Sequence, residues 1–154
     1  MILLLTGKSG AGKTTIAKGM ACIYQNVVLL DGDELREGLN SDLGFSDEDI
    51  MENMRRVSSL AKLLSEQKYF VVVSMIAPLL EGRKMFKGED SWEILIQQSK
   101  CEERDVKGLY KKGTQFREYE MGGADYVLNV DEKFVRDCIW EIEVNTFGSE
   151  KSDW

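Results

Sequence analysis

The stretch Gly7-Lys8-Ser9-Gly10-Ala11-Gly12-Lys13-Thr14 satisfies G-x-x-x-x-G-K-S/T at every position. In that pattern glycines let backbone N–H groups turn inward around phosphate oxygens. The lysine reaches the β- and γ-phosphates, and the final hydroxyl takes a place on Mg2+. The context fits as well. The apolar run Ile2–Leu5 precedes the loop, and a helical stretch from Lys13 to about Tyr24 follows it. A helix starting there aims its positive N-terminus at the same phosphates. Lys13 and Thr14 are thus candidates for γ-phosphate and Mg2+ contacts in a P-loop.

A second chemical feature is Asp31-Gly32-Asp33, at the end of the apolar run Val27–Leu30. Carboxylates there open into the crevice at the carboxyl ends of the strands. One can orient Mg2+ or its waters, and the other can take the proton of an attacking hydroxyl. The plain alternative is an Asp-Gly turn with a helix cap. No Asn-Lys-x-Asp guanine reader occurs, which argues against a GTPase.

Composition removes other chemistries. With 0 histidines the chain has no Ser-His-Asp or Cys-His nucleophile and no His-ligated zinc. Cys22, Cys101 and Cys138 are too far apart for a metal knuckle and fit a reducing compartment. A net charge of −7 and a pI near 4.8 oppose nucleic-acid binding, so an anionic ligand needs a local positive pocket. The longest apolar run, Phe70–Leu80, is broken by Ser74 and Pro78 and is too short for a bilayer. Without a visible targeting segment, the cytosol is the expected location.

The elements that must position these residues can be read from periodicity. Strands are expected at Ile2–Leu5, Val27–Leu30, Tyr69–Met75, Trp92–Ile96 and Tyr126–Val130. Short helices are expected over Glu34–Leu39 and Leu79 to about Lys87. Ser46 reads as an N-cap, followed by acidic residues and a stripe of Ile50, Met54, Val57, Leu60, Ala61 and Leu64. Glu102–Lys112 reads as a charged helix, Gly113–Gly123 as a loop, and Asp131 to about Val144 as a last amphipathic helix. Five buried strands alternating with helices predict an α/β fold with a parallel sheet. A length of 154 residues predicts one domain, 1–148, with a tail at 149–154.

Beyond the P-loop, LDGDELREGLNSDLGF at Leu30–Phe45, ENMRRVSSLAKLL at Glu52–Leu64 and RDVKGLYKK at Arg104–Lys112 are long and specific. With Gly7–Thr15 and Tyr126–Ile142 they make the chain resemble the adenylylsulfate kinases, P-loop enzymes that phosphorylate the ribose 3′-hydroxyl of adenylylsulfate with ATP. The resemblance implies a three-layer P-loop kinase fold with strand order 2-3-1-4-5 and a lid at about 104–124. It implies ATP contacts from Gly7, Lys8, Ser9, Gly10, Ala11, Gly12, Lys13, Thr14, Thr15 and Arg104, and Mg2+ contacts from Thr14 and Asp31. Asp33 falls where the family holds its hydroxyl-activating aspartate. Arg36, Asn40, Phe45 and Asn53 fall on acceptor contacts, with Phe45 stacking on the base. Lys107 falls on a lid lysine near the reacting phosphates and, with Lys13 and Asp33, completes the implied catalytic set. The implied partners are ATP and an anionic nucleotide, with a homodimer as an option and no nucleic acid or membrane.

Four departures bear on the acceptor and the path of transfer. Ala77 replaces the serine that precedes the proline in the family, so transfer should be direct. Ile50 replaces an acceptor-side arginine. The segment from Lys112 to Asp125 is shorter and lacks the lid motif F-T-G-I, leaving Phe116 or Tyr119 as aromatic substitutes. Leu79-Leu80 replaces Tyr-Arg, leaving Arg83 as the nearest match. These departures suit a related acceptor, the cytidine diphosphoramidate used in capsule biosynthesis. An inactive nucleotide-binding paralogue is the other alternative.

Overall fold

The computed structural model describes residues 1–101 and 117–146. In chain order the elements are β1 (Ile2–Thr6), α1 (Lys13–Ile23), β2 (Val27–Asp31), α2 (Gly32–Glu37), α3 (Asp47–Glu66), β3 (Phe70–Ser74), α4 (Leu80–Lys84), β4 (Ser91–Gln97), β5 (Tyr126–Asn129) and α5 (Val135–Thr146). The strands form one sheet in the order β2-β3-β1-β4-β5. All four pairings are parallel. Both the α/β class and the strand order agree with the sequence reading.

β1 is central, and side chains alternate across a strand, so both of its faces must be apolar. Leu3 and Leu5 join Val72, Ile94, Ile96 and Leu128 under α1 and α5, which contribute Ile16, Met20, Ile139 and Ile142. Ile2 and Leu4 join Val71 and Val73 under α3, which contributes Ile50, Met54, Val57 and Ala61. The result is a sheet between two helical layers, with the carboxyl ends of β1, β2 and β3 sharing one rim. β1 and β3 are in register from Ile2 opposite Val71 to Leu5 opposite Ser74.

α3 follows its sequence signals closely. The Ser46 hydroxyl accepts from the Asp49 N–H at 3.1 Å, and Asp47, Glu48 and Asp49 occupy the first turn. Two other helices start elsewhere than the periodicity placed them. α2 begins at Gly32 rather than Glu34, because the Asp31 carboxylate accepts from the Asp33 N–H and caps the helix early. α5 begins at Val135 rather than Asp131. Asn129 takes the Asp131 N–H in a side-chain turn, and Glu132 has a φ of 59°, which no helix tolerates. The helix expected over Leu79–Lys87 is confined to the five residues of α4. Residues 117–124 have no regular structure. The expected helix Glu102–Lys112, the loop as far as Phe116 and the tail from residue 149 lie outside the described residues. Among the described residues no helix is long and apolar enough to cross a membrane.

Ser46→Ala removes the side-chain acceptor of the Asp49 N–H at the start of α3 and should lower stability by about 1 kcal/mol. Urea denaturation of the two proteins side by side measures this. A shift of the midpoint within experimental scatter would mean that the acidic first turn alone suffices.

Candidate active site

The loop between β1 and α1 is shaped by two glycines. Gly7 has a φ of 134°, and a Cβ there would collide with the Ile96 carbonyl oxygen. Gly12 caps α1 with a φ of 95°, and no side chain among the described residues caps that helix. Lys13 is 8% exposed. Its Nζ folds back to donate to the carbonyls of Gly7 at 2.9 Å and Lys8 at 2.7 Å. A strong cation is thus held against the loop in which phosphate oxygens would sit.

The start of α1 is tied to the end of β2. Thr14 Oγ1 donates to Asp31 Oδ2 at 2.7 Å and lies 3.1 Å from the Ser74 hydroxyl. Asp31 Oδ1 accepts from the Asp33 N–H at 2.9 Å. Burial pushes the Asp31 carboxyl up. Hydrogen bonds from Thr14, the Asp33 and Glu34 backbones and Ser74 outweigh it and hold the group below the ordinary carboxylate range. The two aspartates therefore differ in kind. Asp31 is buried within a set of oxygens, whereas Asp33 is exposed on the first turn of α2. Ser74 escaped the sequence reading, although a hydroxyl ending an otherwise apolar strand is a visible signal.

Arg36, Phe45, Asn40 and Asn53 gather around the end of α2 and the first half of α3. The Arg36 guanidinium lies 4.4 Å from the Phe45 ring centroid, and one of its nitrogens donates to the Gly44 carbonyl at 2.8 Å. Burial draws the Arg36 pKa down, against the opposing charges of Asp49 and Asp33. Phe45 is 75% exposed, so it is no core residue. Asn40 is fully buried and donates from Nδ2 to Asn53 Oδ1 at 2.8 Å. Its own Oδ1 has no hydrogen-bond partner among the described residues.

The positions that depart from the family are distributed differently. Ile50 packs into the core beneath α3, so the missing arginine is replaced by a core contact. Ala77 is buried with a φ of 45° and offers no hydroxyl. Arg83 does not face the crevice in place of the family arginine. It is wholly buried, with Nε 2.7 Å from Glu93 Oε1. Tyr119 lies beside Arg83, while Phe116, Arg104 and Lys107 are outside the described residues.

On the other side of the loop is a cavity of about 660 Å3. It is lined by Gly7–Ser9, by the ends of β4 and β5 with Gln97, Ser99, Asn129 and Asp131, and by Tyr119 and Met121. The Ser99 N–H donates to the Asp131 carboxylate at 3.1 Å, which ties the two strand ends together. Its size and place suit the nucleoside half of a nucleotide whose phosphates reach the glycine loop. No local motif marks these residues; only the rule that ligands sit at strand carboxyl ends points to them.

Sheet order, glycine loop, inward lysine and the hydroxyl–carboxylate pair define a P-loop kinase fold. The family described as adenylylsulphate kinase matches residues 1–133, and the chain belongs to that family. An adenylyl-sulfate kinase of Bacillus pumilus is 46% identical over 156 residues, covering 94% of this chain and 76% of that one. One from Bacillus licheniformis is 47% identical over 122 residues, covering 72% of this chain but only 61% of its own length. Among solved structures, the Mycobacterium tuberculosis APS kinase CysC in complex with AMPPNP and APS aligns with a TM-score of 0.81 and 32% identity, covering 94% of this chain and 95% of that one. A kinase family of this kind carries out ATP-dependent phosphoryl transfer, generally with Mg2+.

Asp31→Asn should destabilise the free protein by about 1–2 kcal/mol at pH 7, because the hydrogen bonds it accepts favour the ionised carboxylate. The folded pKa of Asp31 is depressed. Its contribution is therefore present above the unfolded value near 3.8 and is lost as pH falls through the folded value. The stability gap between wild type and variant should narrow below about pH 4. Denaturation at several pH values checks the sign, and a gap that widens in acid would contradict it.

Proposed function

We propose that the chain transfers the γ-phosphoryl group of ATP to the ribose 3′-hydroxyl of adenylylsulfate. The observation that carries this reading is the division of labour between the two aspartates. Asp31 is buried and engaged with Thr14, and Asp33 is exposed and close enough to Arg36 for their charges to interact. A metal-side acid and an acceptor-side acid, two residues apart, suit a phosphoryl transfer to an alcohol. Membership of the family supports the choice of acceptor.

In this mechanism ATP lies with its phosphates in residues 7–15 and its nucleoside in the cavity beside β4 and β5. Asp33 takes the proton of the 3′-hydroxyl as its oxygen attacks the γ-phosphorus. The bond from that phosphorus to the β-phosphate oxygen breaks, and ADP leaves. Lys13 exchanges the carbonyls of Gly7 and Lys8 for phosphate oxygens and follows the moving charge. Thr14, Asp31 and the adjoining Ser74 form an oxygen-only donor set, which suits a hard cation that keeps some of its waters. Thr14 and Asp31 would hold Mg2+, which supplies neutralisation of phosphate charge. Ala77 carries no nucleophile, so transfer is direct. Arg36 and the Asn40–Asn53 pair bind the ribose and phosphate of the acceptor, and Phe45 stacks on its base. Arg104 and Lys107 act from outside the described residues, as ATP and phosphate contacts. A cytosolic location and a homodimer belong to the same proposal; three unpaired cysteines fit a reducing compartment.

A second acceptor, cytidine diphosphoramidate, is favoured by one observation. Ile50 is committed to the core where the family carries an arginine, so one cation that would face a sulfate is missing. ATP turnover against both acceptors separates the readings. Adenylylsulfate should be the better substrate, and a reversed ranking would move the chain to the second reading. ATP binding without turnover of either would leave an inactive paralogue.

With the better acceptor, Lys13→Ala should abolish detectable transfer while the thermal midpoint stays near wild type. Asp33→Asn should lower kcat by about 100-fold or more with ATP still bound. Collapse of ATP affinity in Asp33→Asn, with normal turnover per bound ATP, would make Asp33 a metal residue instead.

A further inference from the structure

Arg83 uses every nitrogen it has. Nε donates to Glu93 Oε1 at 2.7 Å. One terminal nitrogen donates to the Ala77 and Pro78 carbonyls, both at 3.0 Å. The other donates to the Glu120 carbonyl at 2.5 Å and the Gly122 carbonyl at 2.8 Å. The guanidinium carbon, Cζ, lies over the Tyr119 ring, 4.3 Å from its centroid. One side chain thus fastens three separate segments: the loop after β3, strand β4, and residues 119–122. Glu120 reinforces the last connection, accepting from the Leu80 N–H and donating its own N–H to the Pro78 carbonyl.

Residues 119–122 have no regular structure, so neither a helix nor a sheet ladder sets their path. Yet Tyr119 and Met121, from this segment, wall the cavity beside the glycine loop. The shape of that wall depends on what holds its backbone. A buried ion pair is a poor device for stability alone, since apolar residues of like volume often serve the fold as well or better. What apolar residues cannot do is hold the carbonyls of Glu120 and Gly122 in fixed positions.

We propose that Arg83 is a positioning residue for the nucleotide pocket: by gripping the Glu120 and Gly122 carbonyls and stacking on Tyr119, it sets the wall against which the nucleoside of ATP rests. This rests on the reading that the cavity beside β4 and β5 takes ATP.

The test separates folding from positioning. Arg83→Met alone should lower the thermal midpoint, because it takes from the buried Glu93 its hydrogen-bonded partner and leaves only the longer contact with Lys87. Arg83→Met combined with Glu93→Met should recover most of that loss. Its dissociation constant for a non-hydrolysable ATP analogue, by titration calorimetry, should nevertheless stay about tenfold or more above wild type. Its KM for ATP should rise in parallel, with kcat at saturating ATP within about threefold of wild type. Arg83→Lys, which keeps the charge but not the fork, should fold and show the same rise. Should the double variant fail to fold, the lysine variant decides. Wild-type affinity in either folded variant, or a loss of kcat with unchanged KM, would reduce Arg83 to a structural role and overturn the inference. Failure of the wild type to bind the ATP analogue would instead overturn the ATP reading, and this inference with it.

Discussion

The hydrogen bond from Thr14 to Asp31 is the interaction on which the rest of the site depends. Thr14 belongs to the first turn of α1 and Asp31 ends β2, so the bond sets the helix that carries the glycine loop against the edge strand of the sheet. Asp31 uses its other oxygen to begin α2, and α2 carries Asp33 and Arg36. On the proposed reading, a single carboxylate therefore orients the phosphate side and the acceptor side relative to each other. Its burial would be costly for an ion without partners, and the hydrogen bonds it collects are what keep it charged there.

Legibility from the sequence followed the locality of the physics. The glycine loop, β1 and α3 were readable because each is decided by neighbouring residues: dihedral freedom at Gly7 and Gly12, double-sided apolarity at Ile2–Leu5, a cap and a stripe at Ser46–Leu64. The starts of α2 and α5 depart from the periodicity because side-chain turns at Asp31 and Asn129 override it, and such turns depend on local geometry that composition does not reveal. The cavity residues Gln97, Ser99, Asn129 and Asp131 were not readable at all. They come from two strand ends brought together by the sheet, and nothing in either stretch announces the other.

Arg83 is the clearest lesson of that kind. By sequence it is only the nearest match to an arginine that the family carries after the proline. Its place in the fold supplies what the match could not, because the partners that claim it are carbonyls and Glu93. Ile50 shows the same effect from the other side. Its helical spacing from Met54 and Val57 puts it on the apolar stripe, and the stripe decides its environment. Residue type proposes a chemistry, whereas the number of partners within reach determines which chemistry is available.

The posture of Lys13 has a consequence for selectivity among anions. Its ammonium is already satisfied by two carbonyls of its own loop. Any anion entering the loop must therefore compete with those two carbonyls for the lysine. On the proposed reading, a triphosphate would meet more of the loop amides than a lone sulfate or orthophosphate and would better offset the bonds that the lysine gives up. The loop would then favour the longer phosphate chain before any base or sugar is read, a useful bias where the proposed acceptor itself ends in a sulfate.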